Sequence, residues 1–80
     1  MADHEHDTGI DFDLEGDFVE LNQLLKLVGL VDSGGAGKAL VASGEVEVDG
    51  ETELRKTCKI RAGQQVRVAN TTIRVRGDAT

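Results

Sequence analysis

Residues 33–50, SGGAGKALVASGEVEVDG, read as a short helix that stops at Gly44 and runs straight into a strand and a tight turn at Asp49-Gly50. The Ser33 side chain can accept a hydrogen bond from the first free amides of a helix, which makes it the expected N-cap. Ala39, Leu40 and Val41 supply an apolar stripe, and Gly44 supplies the left-handed residue that ends the helix. Val46 and Val48 then alternate with Glu45, Glu47 and Asp49, the period of a half-buried strand. Gly34, Gly35 and Gly37 occupy the first turn, where each costs roughly 1 kcal/mol against alanine. A start so weakened implies close backbone approach to a neighbouring helix or to a ligand, and packing is the favoured reading. Open amides ahead of the basic Lys38 also suit phosphate oxygens.

Upstream, Asp17 with Glu20 three residues later reads as an N-cap close to a capping box. Leu21, Leu24, Leu25 and Val28 fall on one face of an amphipathic helix. Gly29 ends it, with Leu30 folding back on the last turn. Only Val31 and Asp32 separate the two helices, so they must pack as an angled pair. Ile10, Phe12 and Leu14 alternate with Asp11, Asp13 and Glu15, the pattern of a short edge strand over residues 10–14. Downstream, residues 52–54 answer residues 46–48 across the Asp49-Gly50 hairpin. Cys58 and Ile60 share one face, Lys59 and Arg61 the other. Ala62-Gly63 forms a turn, and Val66 and Val68 pair with Ile73 and Val75 through a hairpin around Asn70. The expected fold is α+β: two packed helices against a small, mostly antiparallel sheet. Residues 1–9 form an acidic, disordered tail and residues 10–80 a single domain.

At 80 residues there is room for one domain, and a chain of this size buries only about 60% of its unfolded surface. The first residues are acidic rather than basic then apolar, so no signal peptide is read, and no run is long enough to span a membrane. A single cysteine, Cys58, makes no internal disulfide, so the cytoplasm is the expected compartment. The net charge of −6 conceals a strong asymmetry. Residues 1–17 hold seven acids and no Lys or Arg, whereas residues 54–77 hold seven bases and no acid. The chain is a charge dipole.

Catalysis finds little support in these residues. His4 and His6, the only histidines, lie in the tail, and no Ser-His or Cys-His pair falls on an ordered element. Those histidines lack a fixed third ligand, so no metal site is expected. Cys58 stands between Lys56 and Lys59, a setting that can activate a thiol; its alternation with Ile60 favours a half-buried core thiol instead. SGGAGKA lacks the first glycine, the Ser or Thr after the lysine and the preceding strand of a phosphate-binding loop, so nucleotide binding is rejected. Arg67, Arg74 and Arg76 belong on the outer face of the last hairpin, where cross-strand ion pairs with Glu45, Glu47, Asp49 or the 10–14 strand account for them. Lys38, Arg55, Lys56, Lys59 and Arg61 have no such local partners, although Glu51 and Glu53 can neutralise part of the cluster. Beside an open helix start they make a phosphate footprint. With Phe12 and Phe18 as the only aromatics, the sheet offers no stacking platform for splayed single-stranded bases. Any RNA bound would be folded, and read by shape and backbone.

Residues 19–68 resemble the RNA-binding domain named after ribosomal protein S-four, the alpha-L motif. The features in register are Leu21 and Leu24, Gly29-Leu30, Ser33 opening the second helix, Leu40-Val41, Gly44, Val46, Val48, Asp49-Gly50 and Gly63. Residues 55–60, RKTCKI, are similar to the small stand-alone YbcJ-like branch. The resemblance implies RNA binding through the two helices and the adjoining hairpin. Ser33 and Lys38 match polar contact positions, and Arg55, Lys56 and Lys59 match the basic stretch of that branch. The family often carries arginine directly after the serine; this chain has Gly34, as the stand-alone branch does, and Gly37 replaces the usual alanine.

The expected function is therefore non-catalytic binding of structured RNA, of the ribosomal or transfer class, by a cofactor-free monomer without a small-molecule substrate. Lys26, Lys38, Arg55, Lys56, Lys59 and Arg61 would meet phosphates, while Ser33, Gly34 and Gly35 offer neutral donors. The acidic tail would compete with RNA for this patch. The rival expectation is a protein-interaction module of the same fold that docks on an acidic protein; a redox-active Cys58 is a third.

Overall fold

The computed structural model describes residues 8–77. Residues 1–7 of the acidic segment expected to compete with RNA, His4 and His6 among them, lie outside the described residues, as do residues 78–80. The elements in chain order are β1 (Thr8–Asp13), β2 (Val19–Glu20), α1 (Leu21–Leu27), α2 (Gly34–Ala42), β3 (Val46–Val48), β4 (Glu51–Thr52), β5 (Lys59–Ile60), β6 (Gln65–Val68) and β7 (Thr71–Arg76). Five strands form one sheet in the order β1-β7-β6-β3-β4, and β2 pairs with β5 in a second. Every pairing is antiparallel except β1 with β7. Two packed helices and a mostly antiparallel sheet make this the expected α+β fold.

Alternation along the strands builds the core. Val46 opposes Val68, Val48 opposes Val66, and Val66 opposes Ile73; all five side chains are buried. Leu21, Leu24 and Leu25 of α1, Val41 of α2 and Ile60 of β5 pack into the same cluster and are fully buried. The opposite face carries charge: Glu47 faces Arg67 and Asp11 faces Arg74. Asp11 accepts from Arg74 at 3.3 Å and from Arg76 at 3.5 Å, which confirms cross-strand pairing for these two arginines.

The local punctuation works as the residues predict. Asp49 and Gly50 adopt φ of 53° and 89°, the left-handed pair that a two-residue hairpin turn requires. The Asp49 carboxylate accepts from Gln65 N–H at 3.0 Å and Gln64 Nε2 at 3.1 Å. These bonds hold its pKa below the ordinary value. Gly29 N–H donates to Lys26 O and Leu30 N–H to Leu25 O, both at 3.0 Å, the two bonds that close a helix with a left-handed glycine. Ala36 N–H donates to Ser33 Oγ at 3.1 Å, so Ser33 caps α2.

Longer-range contacts correct the remaining expectations. Thr8 and Gly9, expected to belong to the tail, lie in β1, where they pair in parallel with β7. Asp17 does not cap α1; the capping position is Glu20, whose side chain makes no cap bond, and residues 19–20 pair instead with β5. The strand expected over residues 52–54 lies at Glu51–Thr52. Glu53 N–H adds one bond to Val46 O at 2.9 Å, after which Leu54 is exposed. On α2, Ala39 is exposed and Leu40 half-buried, so the apolar stripe narrows towards Val41. Val68 faces Thr71, while Val75 lies beside Phe12 of β1.

Candidate nucleic-acid interface

The basic stretch 55–61 has little regular structure, yet it is held at both ends. Lys59 and Ile60 pair with β2. Before them, Cys58 O accepts from Leu21 N–H at 2.8 Å and Lys56 O from Asn22 N–H at 3.1 Å. The first amides of a helix have no partner within it, and here the basic stretch supplies their acceptors. It is thereby docked on the start of α1.

The start of α2 lies against that same turn. A Cβ built at Gly37 would fall 2.6 Å from Asn22 O, so the close approach inferred from the glycines is helix packing at this position. At Gly34 a Cβ would stand 3.1 Å from Gln23 Nε2 and 3.6 Å from Asn22 Nδ2. At Gly35 the nearest atom is Ser33 Oγ at 3.9 Å, leaving the backbone open. Asn22 thus joins the two parts of the surface, with its N–H on Lys56 and its side chain beside Gly34. It is 2% exposed, and its Oδ1 has no hydrogen-bond partner.

The expected site residues divide into three sets. Lys56, Lys59 and Arg61, all exposed, flank the docked stretch, and Ser33, Gly34 and Gly35 lie across the first turn of α1. Lys38 is exposed one turn along α2. Lys26 stands exposed in the last turn of α1, one helical turn beyond Asn22 and Gln23. Arg55 is a correction. Placed among cations without cross-strand partners, it is the one that Glu53, expected to neutralise part of the cluster, takes: the carboxylate accepts from its backbone N–H at 2.9 Å, Nε at 2.9 Å and Nη2 at 3.2 Å. Those bonds hold the Glu53 pKa at about 2 and raise that of Arg55. Its charge is already matched.

Three residues here escaped the sequence reading. Phe18 carries Lys59 Nζ at 4.9 Å and Arg61 Cζ at 5.8 Å from its ring centroid, geometry in which a ring attracts cations. It gathers two cations of the patch. Its signal was its exposure beside a basic run, which only folding reveals. Asn22 and Gln23 were visible as polar residues among leucines, without any mark of what they would face. Arg67, by contrast, serves the sheet: its Nη1 donates to Thr72 Oγ1 at 3.5 Å. Cys58 is half-buried, and burial raises its pKa, which suits a core thiol rather than a reactive one.

Two open recesses border the basic stretch. The larger, about 710 Å³, lies between the β3–β4 hairpin and residues 58–64; the smaller, about 420 Å³, shares Arg55, Cys58 and Lys59 with it. Among the described residues no cluster of three metal-ligating side chains occurs, and no helix is long and apolar enough to cross a membrane.

Comparison with known proteins identifies the family. A family model described as an S4 domain matches residues 12–76. The YbcJ protein of Escherichia coli strain K12, provisionally named as RNA-binding, is 51% identical over 57 residues, covering 71% of this chain and 81% of YbcJ. The uncharacterized YbcJ protein of Shigella flexneri matches with the same figures. The solution structure of E. coli YbcJ, described as revealing an alpha-L motif involved in RNA binding, superposes with a TM-score of 0.68 at 42% identity, covering 95% of this chain and 96% of that one. With the paired helices, the adjoining hairpin and the family match in agreement, this chain belongs to the S4-domain family and shares the alpha-L fold of YbcJ.

Proposed function

We propose that this protein binds structured RNA, of the ribosomal or transfer class, without catalysing a reaction, as a monomer in the cytoplasm. The observation that carries the reading is the docking of the basic stretch on the first turn of α1, directly across from the start of α2. Lys56, Lys59 and Arg61 supply exposed positive charge. Gly35 leaves the start of α2 approachable, and the Ser33 hydroxyl keeps its proton free to donate while its oxygen caps α2. Lys38 extends the footprint along the helix. Gln23 Nε2 occupies the space beside Gly34 and places an amide donor where the family often has arginine. The name of E. coli YbcJ and the description of its structure support RNA as the ligand class.

Affinity for folded RNA measured across a salt series tests the proposal. Neutralisation of about four phosphates gives a slope of log affinity on log salt of roughly −3 to −4. Changing Lys38, Lys56, Lys59 and Arg61 together to alanine should flatten it. Absence of binding even at low salt would remove the RNA reading. It would favour docking on an acidic protein, in which case partners pulled from a lysate survive nuclease treatment.

A further inference from the structure

We infer that the cleft between the β3–β4 hairpin and residues 58–64 receives one unpaired nucleotide of the bound RNA, its base stacked on the guanidinium of Arg55. The inference rests on the RNA-binding reading and adds a local feature that the RNA must present. The cleft, about 710 Å³, falls within the roughly 300–1,000 Å³ of small-ligand pockets.

Arg55 is built as a platform rather than as a phosphate anchor. Glu53 fixes its guanidinium through two hydrogen bonds, from Nε and Nη2, and accepts a third from the Arg55 backbone N–H. The Arg55 side chain is nevertheless 78% exposed, while that of Glu53 is 16% exposed. A guanidinium held in one plane from behind and open in front matches the surface on which unpaired bases stack. Its charge, matched by Glu53, has little left for a phosphate. Arg55 also lines the second recess of about 420 Å³, so it borders open space in both.

The remaining lining distinguishes a base from a phosphate. Both oxygens of Asp49 accept from Gln64 and Gln65, and both of Glu53 accept from Arg55. The Glu51 carboxylate, also in the lining, has no side-chain partner among the described residues. It would repel a phosphate, but it can accept N–H groups from a base edge. Lys59 and Arg61, drawn together by Phe18, border the same cleft and suit the phosphates that flank an extruded base. The sheet thus has no aromatic stacking platform, and a fixed guanidinium takes that part.

Full-length protein should be titrated with two RNA hairpins that differ only in one bulged nucleotide. Wild type should bind the bulged hairpin about tenfold more tightly, the scale of one stacked base. Arg55→Lys keeps the charge but not the plane; it should reduce the preference to within about twofold, with the salt slope and the affinity for the paired hairpin unchanged. Circular dichroism confirms that the variant is folded. Equal affinity of wild type for the two hairpins, or a preference retained by Arg55→Lys, would overturn the inference and leave the RNA reading standing. Absence of binding to either hairpin at low salt would overturn both.

Discussion

The two helices begin in opposite ways. α2 closes its own start: Ser33, adjacent in sequence, accepts from Ala36 N–H. α1 has no side-chain cap, and its first amides reach backbone carbonyls at Cys58 and Lys56, on the far side of β3 and β4. The first arrangement is local and would persist in many contexts. The second exists only when the basic stretch is docked, so ordering α1 and assembling the candidate RNA surface are one event. A site built this way couples its cations to the fold rather than carrying them on a loose loop.

The sharpest way to break the contrast is at the contact between the helix starts. Gly37→Ala should raise the propensity of α2 by roughly 1 kcal/mol, but its methyl group would meet Asn22 backbone atoms at 2.6 and 3.2 Å. Overpacking of this kind costs about 1–3 kcal/mol or more, and backbone cannot swing aside as a flexible side chain can. Urea unfolding should show a net loss of about 1–2 kcal/mol, whereas Gly35→Ala, with open space around it, should be neutral or slightly stabilising. A stable Gly37→Ala protein would mean that α1 and α2 do not approach so closely.

Removing the local cap is the next largest effect. Ser33→Ala should lower stability by about 1 kcal/mol, read as a shift in the urea midpoint with an unchanged slope. The smallest effect is expected where sequence pattern and structure disagree. Asp17→Ala should stay within about 0.5 kcal/mol of wild type, as an exposed residue with no cap to lose. A loss near 1 kcal/mol at Asp17 would restore the capping box and remove the contrast between the helices.

The basic residues show the same division between local and distant causes. Arg74 and Arg76 could be assigned to the sheet face from alternation, because a strand fixes side-chain direction by parity. Asp11 then completes the pair across a parallel contact that parity alone does not predict. Glu53 and Arg55 are two residues apart, and opposite charges at that spacing meet only if the chain bends suitably. It does so beyond β4, and an expected phosphate ligand becomes a fixed, charge-matched plane. Phe18 and Lys59 are remote in sequence, and the pairing of β2 with β5 brings their neighbourhoods together.

The sequence by itself determined the Ser33 cap, the glycine stops at Gly29 and Gly44, the Asp49-Gly50 turn and the alternating core of the last strands. Each depends on a side chain, or the lack of one, acting within a few residues. Tertiary structure alone decided where α1 begins, which cations stay open and how the helix starts meet. The physical reason lies in the partners. α1 is capped by backbone carbonyls, which every residue possesses, so no residue type marks Lys56 and Cys58 for that task. Only the packed chain, which has to satisfy those buried amides, selects them.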